Sequence, residues 1–123
     1  MSPGDRRAAG AADAAGLAEA DVVGSSLPSL VVAVTDELAD IERVEAKDEV
    51  TWARSGHPFA ALAGDVLEVR LQEPVVRAAL RTPDTSASAR GEGWVRFAPA
   101  SLDRYAADRA RAWIESAWRH AAG

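Results

Sequence analysis

A chain of 123 residues, 48% of them hydrophobic, is long enough to bury a core of its own as one domain. It has no cysteine, which excludes disulfides and thiolate metal sites, and no apolar run near the roughly 20 residues that span a bilayer. Its net charge of −5 argues against avid non-specific nucleic-acid binding. The acid is uneven, however: residues 36–49 hold seven acidic side chains against Arg43 and Lys47, which leaves the later part of the chain mildly basic.

Residues 1–24 are Ala and Gly with scattered charge. They cannot bury enough to offset their ordering entropy, and a flexible tail is expected there, with nascent helix through Ala11–Ala20. No compact apolar stretch follows Arg6 and Arg7, so no signal peptide is expected and the expected location is cytoplasmic. The folded domain is expected over residues 25–122. Ser25 or Ser26 reads as an N-cap with Pro28 in the first turn. Leu30, Val34, Leu38 and Ile41 then form one helical stripe, in a segment weakened by Val31, Val32 and Val34.

Val44, Ala46, Asp48, Val50 and Trp52 alternate with Glu45, Lys47, Glu49, Thr51 and Ala53, as in a strand turned near Lys47–Asp48. Ser55-Gly56-His57-Pro58 turns the chain into a short apolar strand at 59–62. Gly64-Asp65 is a second turn signal. Leu67, Val69 and Leu71 point one way and Glu68 and Arg70 the other, which marks a half-buried strand. Pro74 starts a short helix whose apolar side is Val76, Ala79 and Leu80, and Pro83 stops it. Residues 83–92 read as a polar loop, and 93–97 as a strand with Val95 and Phe97 on one face and Trp94 and Arg96 on the other. Ser101 is the expected cap of a last helix, with Leu102, Ala106, Ala110, Trp113, Ile114 and Ala117 on its apolar face. The predicted fold class is α+β: a single domain with an antiparallel sheet of about four strands covered by helices, in the order α-β-β-β-α-β-α.

The stretches at 59–62 and 67–71, the helix begun by Pro74, Gly93-Trp94-Val95 and the closing Glu115-Ser116-Ala117-Trp118-Arg119 together resemble the MmcQ/YjbR-like family of small bacterial α+β proteins. The last strand and helix also look like those of bacterial luciferase-like domains. The resemblance spans about residues 28–120. It implies a helix-covered antiparallel sheet and a DNA-binding role. Family members often carry Lys before the Phe-Ala strand, where His57-Pro58 stands here.

Three groups of residues bear on function. Arg54, Arg70 and Arg96 beside Trp52 and Trp94 have the composition of a nucleic-acid or anionic-ligand surface, with charge for phosphate and flat rings for stacking. The competing explanation is an ordinary solvated sheet face on which Arg stems cover Trp and Glu68 pairs with Arg70. The 83–92 loop, with its hydroxyls and Arg90, fits either an anion contact or a plain connector. His57 and His120 lack the neighbours that a metal or catalytic site needs, and neither a phosphate loop nor a carboxylate dyad is present. The expectation is therefore a small, soluble, non-enzymatic binding module that recognises DNA or another anionic ligand through Arg54, Arg70, Arg90, Arg96, Trp52 and Trp94. The alternative is a homodimeric protein-interaction or small-molecule-binding domain, with an enzyme third. No cofactor, metal or membrane partner is expected.

Overall fold

The computed structural model describes residues 26–122. The tail expected over residues 1–24 and the capping candidate Ser25 lie outside the described residues. The elements are α1 (Leu27–Asp36), β1 (Ile41–Glu45), β2 (Val50–Arg54), β3 (His57–Ala63), β4 (Val66–Arg70), α2 (Glu73–Ala79), β5 (Thr85–Ala87), β6 (Trp94–Phe97) and α3 (Arg104–Ala121). The strands form one sheet in the order β1-β2-β3-β4-β6-β5, with every neighbouring pair antiparallel. The protein is α+β, with six strands among the described residues where about four were expected.

The strand expected over 44–53 is turned near Lys47–Asp48 as its sequence suggests and counts as two, β1 and β2, and one further strand lies in the 83–92 segment. Ile41 continues the apolar spacing of α1, but the helix stops at Asp36 and Ile41 opens β1. Thr35 is buried, and its hydroxyl donates to the Val31 carbonyl at 2.9 Å, a back-bond that competes with the helix ladder. Asp40 then takes φ 58°, outside the helical region. Leu38 still packs on the core, so its place in the stripe is kept without the helix. The further strand, β5, lies in the segment read as a loop. Thr85 anchors it by donating to the Ala79 and Thr82 carbonyls at the end of α2, at 2.8 and 2.7 Å.

Ser26 caps α1, accepting from the Ser29 amide. The expected cap of the last helix moves from Ser101 to Asp103, whose side chain accepts from the Ala106 amide at 2.8 Å. Asp is as good a cap as Ser, and its charge suits the positive end of the helix. Leu80, expected on the apolar side of α2, is instead the C-terminal cap residue of that helix and is exposed.

Helices α1 and α3 cover one face of the sheet. The core there is Leu30, Val31 and Val34 from α1, Trp52, Ala60, Leu62, Leu67, Val69, Val95 and Phe97 from the sheet, and Ala106, Ala110, Trp113, Ile114 and Ala117 from α3. The buried alanines of α3, five in all, let it lie close to the strands, while Trp113 meets Phe97 edge-to-face with centroids 5.1 Å apart. A register shift in β3 pairs Trp52 with Ala60 and Ala53 with Pro58, so Phe59 is an extra residue in a bulge and joins the core beside Ala60. The β2–β3 turn is two residues long, with Ser55 at φ 53° and Gly56 at φ 80°, the primed geometry that matches strand twist.

Candidate functional site: the open face of the sheet

Strand pairing decides which of the expected ligand residues share a surface. Glu68 lies opposite both Ala61 and Arg96, Arg70 lies opposite Trp94, and Arg96 lies opposite Ser86. These positions alternate with the buried Leu67, Val69 and Val95, so they occupy the face that no described helix covers. Arg70 and Arg96 are exposed, with Trp94 half-buried between them. Neither Arg70 nor Arg96 makes an ion pair among the described residues.

Two of the six expected residues lie elsewhere. Trp52 is 1% exposed in the core, with the Arg43 guanidinium 6.0 Å from its ring centroid. Arg54, two residues on, shares that face. Its guanidinium lies 3.9 Å from the Trp118 ring and donates to the Trp118 carbonyl at 3.1 Å. Trp118 in turn donates through its indole N–H to the Ala39 carbonyl at 2.8 Å, so this corner joins β2, α3 and the α1–β1 link. A clue was present in the sequence. Val50 and Trp52 are the apolar parity of their strand, and Arg54 has the same parity, so burial of Trp52 takes Arg54 to the helix side.

Arg90 is on the open face but is not a free cation. It donates through Nε to Glu68 at 2.8 Å and reaches Glu49, ahead of β2, with its terminal nitrogen. Between those two carboxylates runs β3. Ala61, on the open side of that strand and opposite Glu68, is 1% exposed. The Ser88 hydroxyl donates to the second Glu68 oxygen, and the Arg90 guanidinium also lies 5.4 Å from the Trp94 ring centroid. Residues 88–91 are therefore strapped down onto the sheet. Burial alone pushes the Glu68 carboxyl up, but the Ser88 hydrogen bond and the Arg90 and Arg96 charges outweigh it and hold the carboxyl below its ordinary 4.5. The same carboxylates raise Arg90 against the lowering effect of its burial.

The expectation that Glu68 pairs with Arg70 does not hold: its partner is Arg90, 22 positions away. Glu49, and the pairing of Glu68 with Ser88 and Arg90, escaped the sequence reading because nothing local signals a bond across that separation. A cleft of about 620 Å3 opens at the end of β4, between α2, the residues before β6 and the last turn of α3; it includes Arg70, Arg77 and His120. His57 is an exposed residue at the start of β3. Among the described residues, no three of His, Asp and Glu gather as a metal site would require. No described helix is long and apolar enough to cross a membrane.

Neither a family model nor a curated protein matches this sequence. Its fold does have a solved counterpart. A crystal structure of a Pseudomonas syringae protein, determined as a structural-genomics target, is similar with a TM-score of 0.57 and 12% identity, covering 76% of this chain and 97% of that one. At that identity the likeness carries the fold alone.

Proposed function

We propose that this chain is a cytoplasmic, non-enzymatic module that binds nucleic acid on the open face of its sheet, with Arg70 and Arg96 on phosphates and Trp94 against a base or sugar. One observation carries the reading: two exposed arginines, neither engaged in an ion pair among the described residues, flank a half-exposed tryptophan on a face that no described helix covers. Burying such cations on an uncharged partner would cost their hydration, whereas a polyanion replaces it. The role agrees with that implied by the MmcQ/YjbR-like resemblance, and membership of that family is part of the proposal. Relative to the expectation from sequence, the surface loses Trp52 and Arg54, and Arg90 becomes the group that shapes it.

The test is a titration of the chain against labelled duplex DNA across a salt series, with Arg70→Gln/Arg96→Gln beside it. The chain should bind at low salt, and the double variant should show a log–log salt slope shallower by about 2, one phosphate contact being worth roughly 0.9. Lack of salt-dependent binding at low ionic strength removes the nucleic-acid reading.

A further inference from the structure

The cleft beside α2 has a charge pattern of which the sheet-face reading uses only Arg70. Arg70 comes from the end of β4, Arg77 from α2 and His120 from the last turn of α3, while Glu73 and Glu92 bring carboxylates from two further positions. Arg70, Arg77, Glu73 and Glu92 make no ion pair with one another or with any other described residue, although both signs line one concavity. Leu71 and Val76 give it an apolar patch. Gly93 closes it on one side. Its carbonyl accepts from the Leu71 amide at 2.8 Å, and a Cβ at this position would sit 3.3 Å from the Leu71 carbonyl oxygen, at a φ of 87°. The wall is thus set by backbone geometry that favours glycine.

A lone anion in this cleft would meet Glu73 and Glu92, and a lone cation would meet the two arginines. A ligand with one pole of each sign satisfies both. At about 620 Å3 the cleft falls within the range of small-molecule sites, larger than a single amino acid requires. We infer that the cleft binds a small zwitterion with an apolar middle, of the size and chemistry of a free dipeptide, its carboxylate on Arg70 and Arg77 and its ammonium on Glu73 and Glu92. Bidentate capture suits arginine, and carboxylates are the natural acceptors for an ammonium.

Three matched probes test this on the full chain: alanyl-leucine, its N-acetyl derivative without the ammonium, and its C-terminal amide without the carboxylate. Amide resonances of Gln72, Gly93 and His120 report occupancy. Alanyl-leucine should give saturable shifts, and each blocked probe should bind about tenfold or more weaker, the loss expected for one hydrogen-bonded charge. Arg77→Gln should weaken alanyl-leucine similarly while leaving the C-terminal amide unaffected, and Glu92→Gln should do the same with respect to the N-acetyl probe. Arg77 and Glu92 are exposed, so these variants keep the fold. No saturable shift with alanyl-leucine, equal affinity for all three probes, or variants that do not discriminate between them would each overturn the assignment.

Discussion

Arg54 illustrates how one side chain can carry the composition of a ligand site and act as structure. Its guanidinium stacks on Trp118 and donates to a carbonyl in the last turn of α3, where the helix leaves acceptors unpaired and its dipole favours positive charge. Three small effects coincide on one group: a stacked cation, a charged hydrogen bond and a helix-end charge. Arg54→Ala should lower stability by about 1–2 kcal/mol, read as a shift in the urea midpoint. Arg54→Lys should recover only part of that, because an ammonium keeps the charge but not the flat stacking surface. Neither variant should alter the DNA titration. A midpoint unmoved by Arg54→Ala would show that the contact contributes nothing net.

Among the elements, the segment from β5 to β6 is the least expected and the most consequential. Ser88 and Arg90 hold it to Glu68 on β4 and Glu49 ahead of β2, which converts a polar connector into a strap across β3. Because the folded state holds the Glu68 carboxyl below its ordinary 4.5, the unfolded chain takes up that proton first as pH falls. The strap's contribution is therefore present at neutral pH and disappears as pH drops from the ordinary carboxylate range through the lowered folded value. Glu68→Gln should cost about 1–2 kcal/mol at neutral pH, the scale of a charged hydrogen bond on a partly exposed group. It should cost little in acid, so that the stability curves of the two proteins converge there. Parallel curves down to acid pH would count against this ionic account. The hairpins β2–β3 and β3–β4 were legible because Gly56 and Gly64-Asp65 announce their turns within a few residues. The end of β1 was legible in the alternation turned near Lys47–Asp48, but its start was hidden by Ile41 matching the helical spacing, and β5 was hidden by the polarity of Thr85-Ser86. The strap depends on pairs 22 and 41 positions apart, which periodicity cannot see.

On the scale of the whole molecule, α1, α3 and the covered face of the sheet share one core, and α3 lies against the middle of it. Ile114 is fully buried there, in the same core as the edge-to-face pair of Phe97 and Trp113 and the alanines of α3. Close alanine packing leaves few side chains able to move into a void, so Ile114→Ala should leave most of its cavity unfilled and cost about 2–5 kcal/mol. Against a typical total of about 5–15 kcal/mol, that is enough to bring the chain near its folding threshold. With a single core, the loss should be felt everywhere at once. Far-UV circular dichroism, which follows the helices, and fluorescence, dominated in the core by Trp52 and Trp113, should give coincident urea transitions in both the parent and the variant. The midpoint should fall while the slope with denaturant stays the same, because the surface exposed on unfolding hardly changes. Transitions that separate in the variant would mean that α3 can leave the sheet while the strands stay paired. The open face would then rest on the sheet alone rather than on the helices behind it.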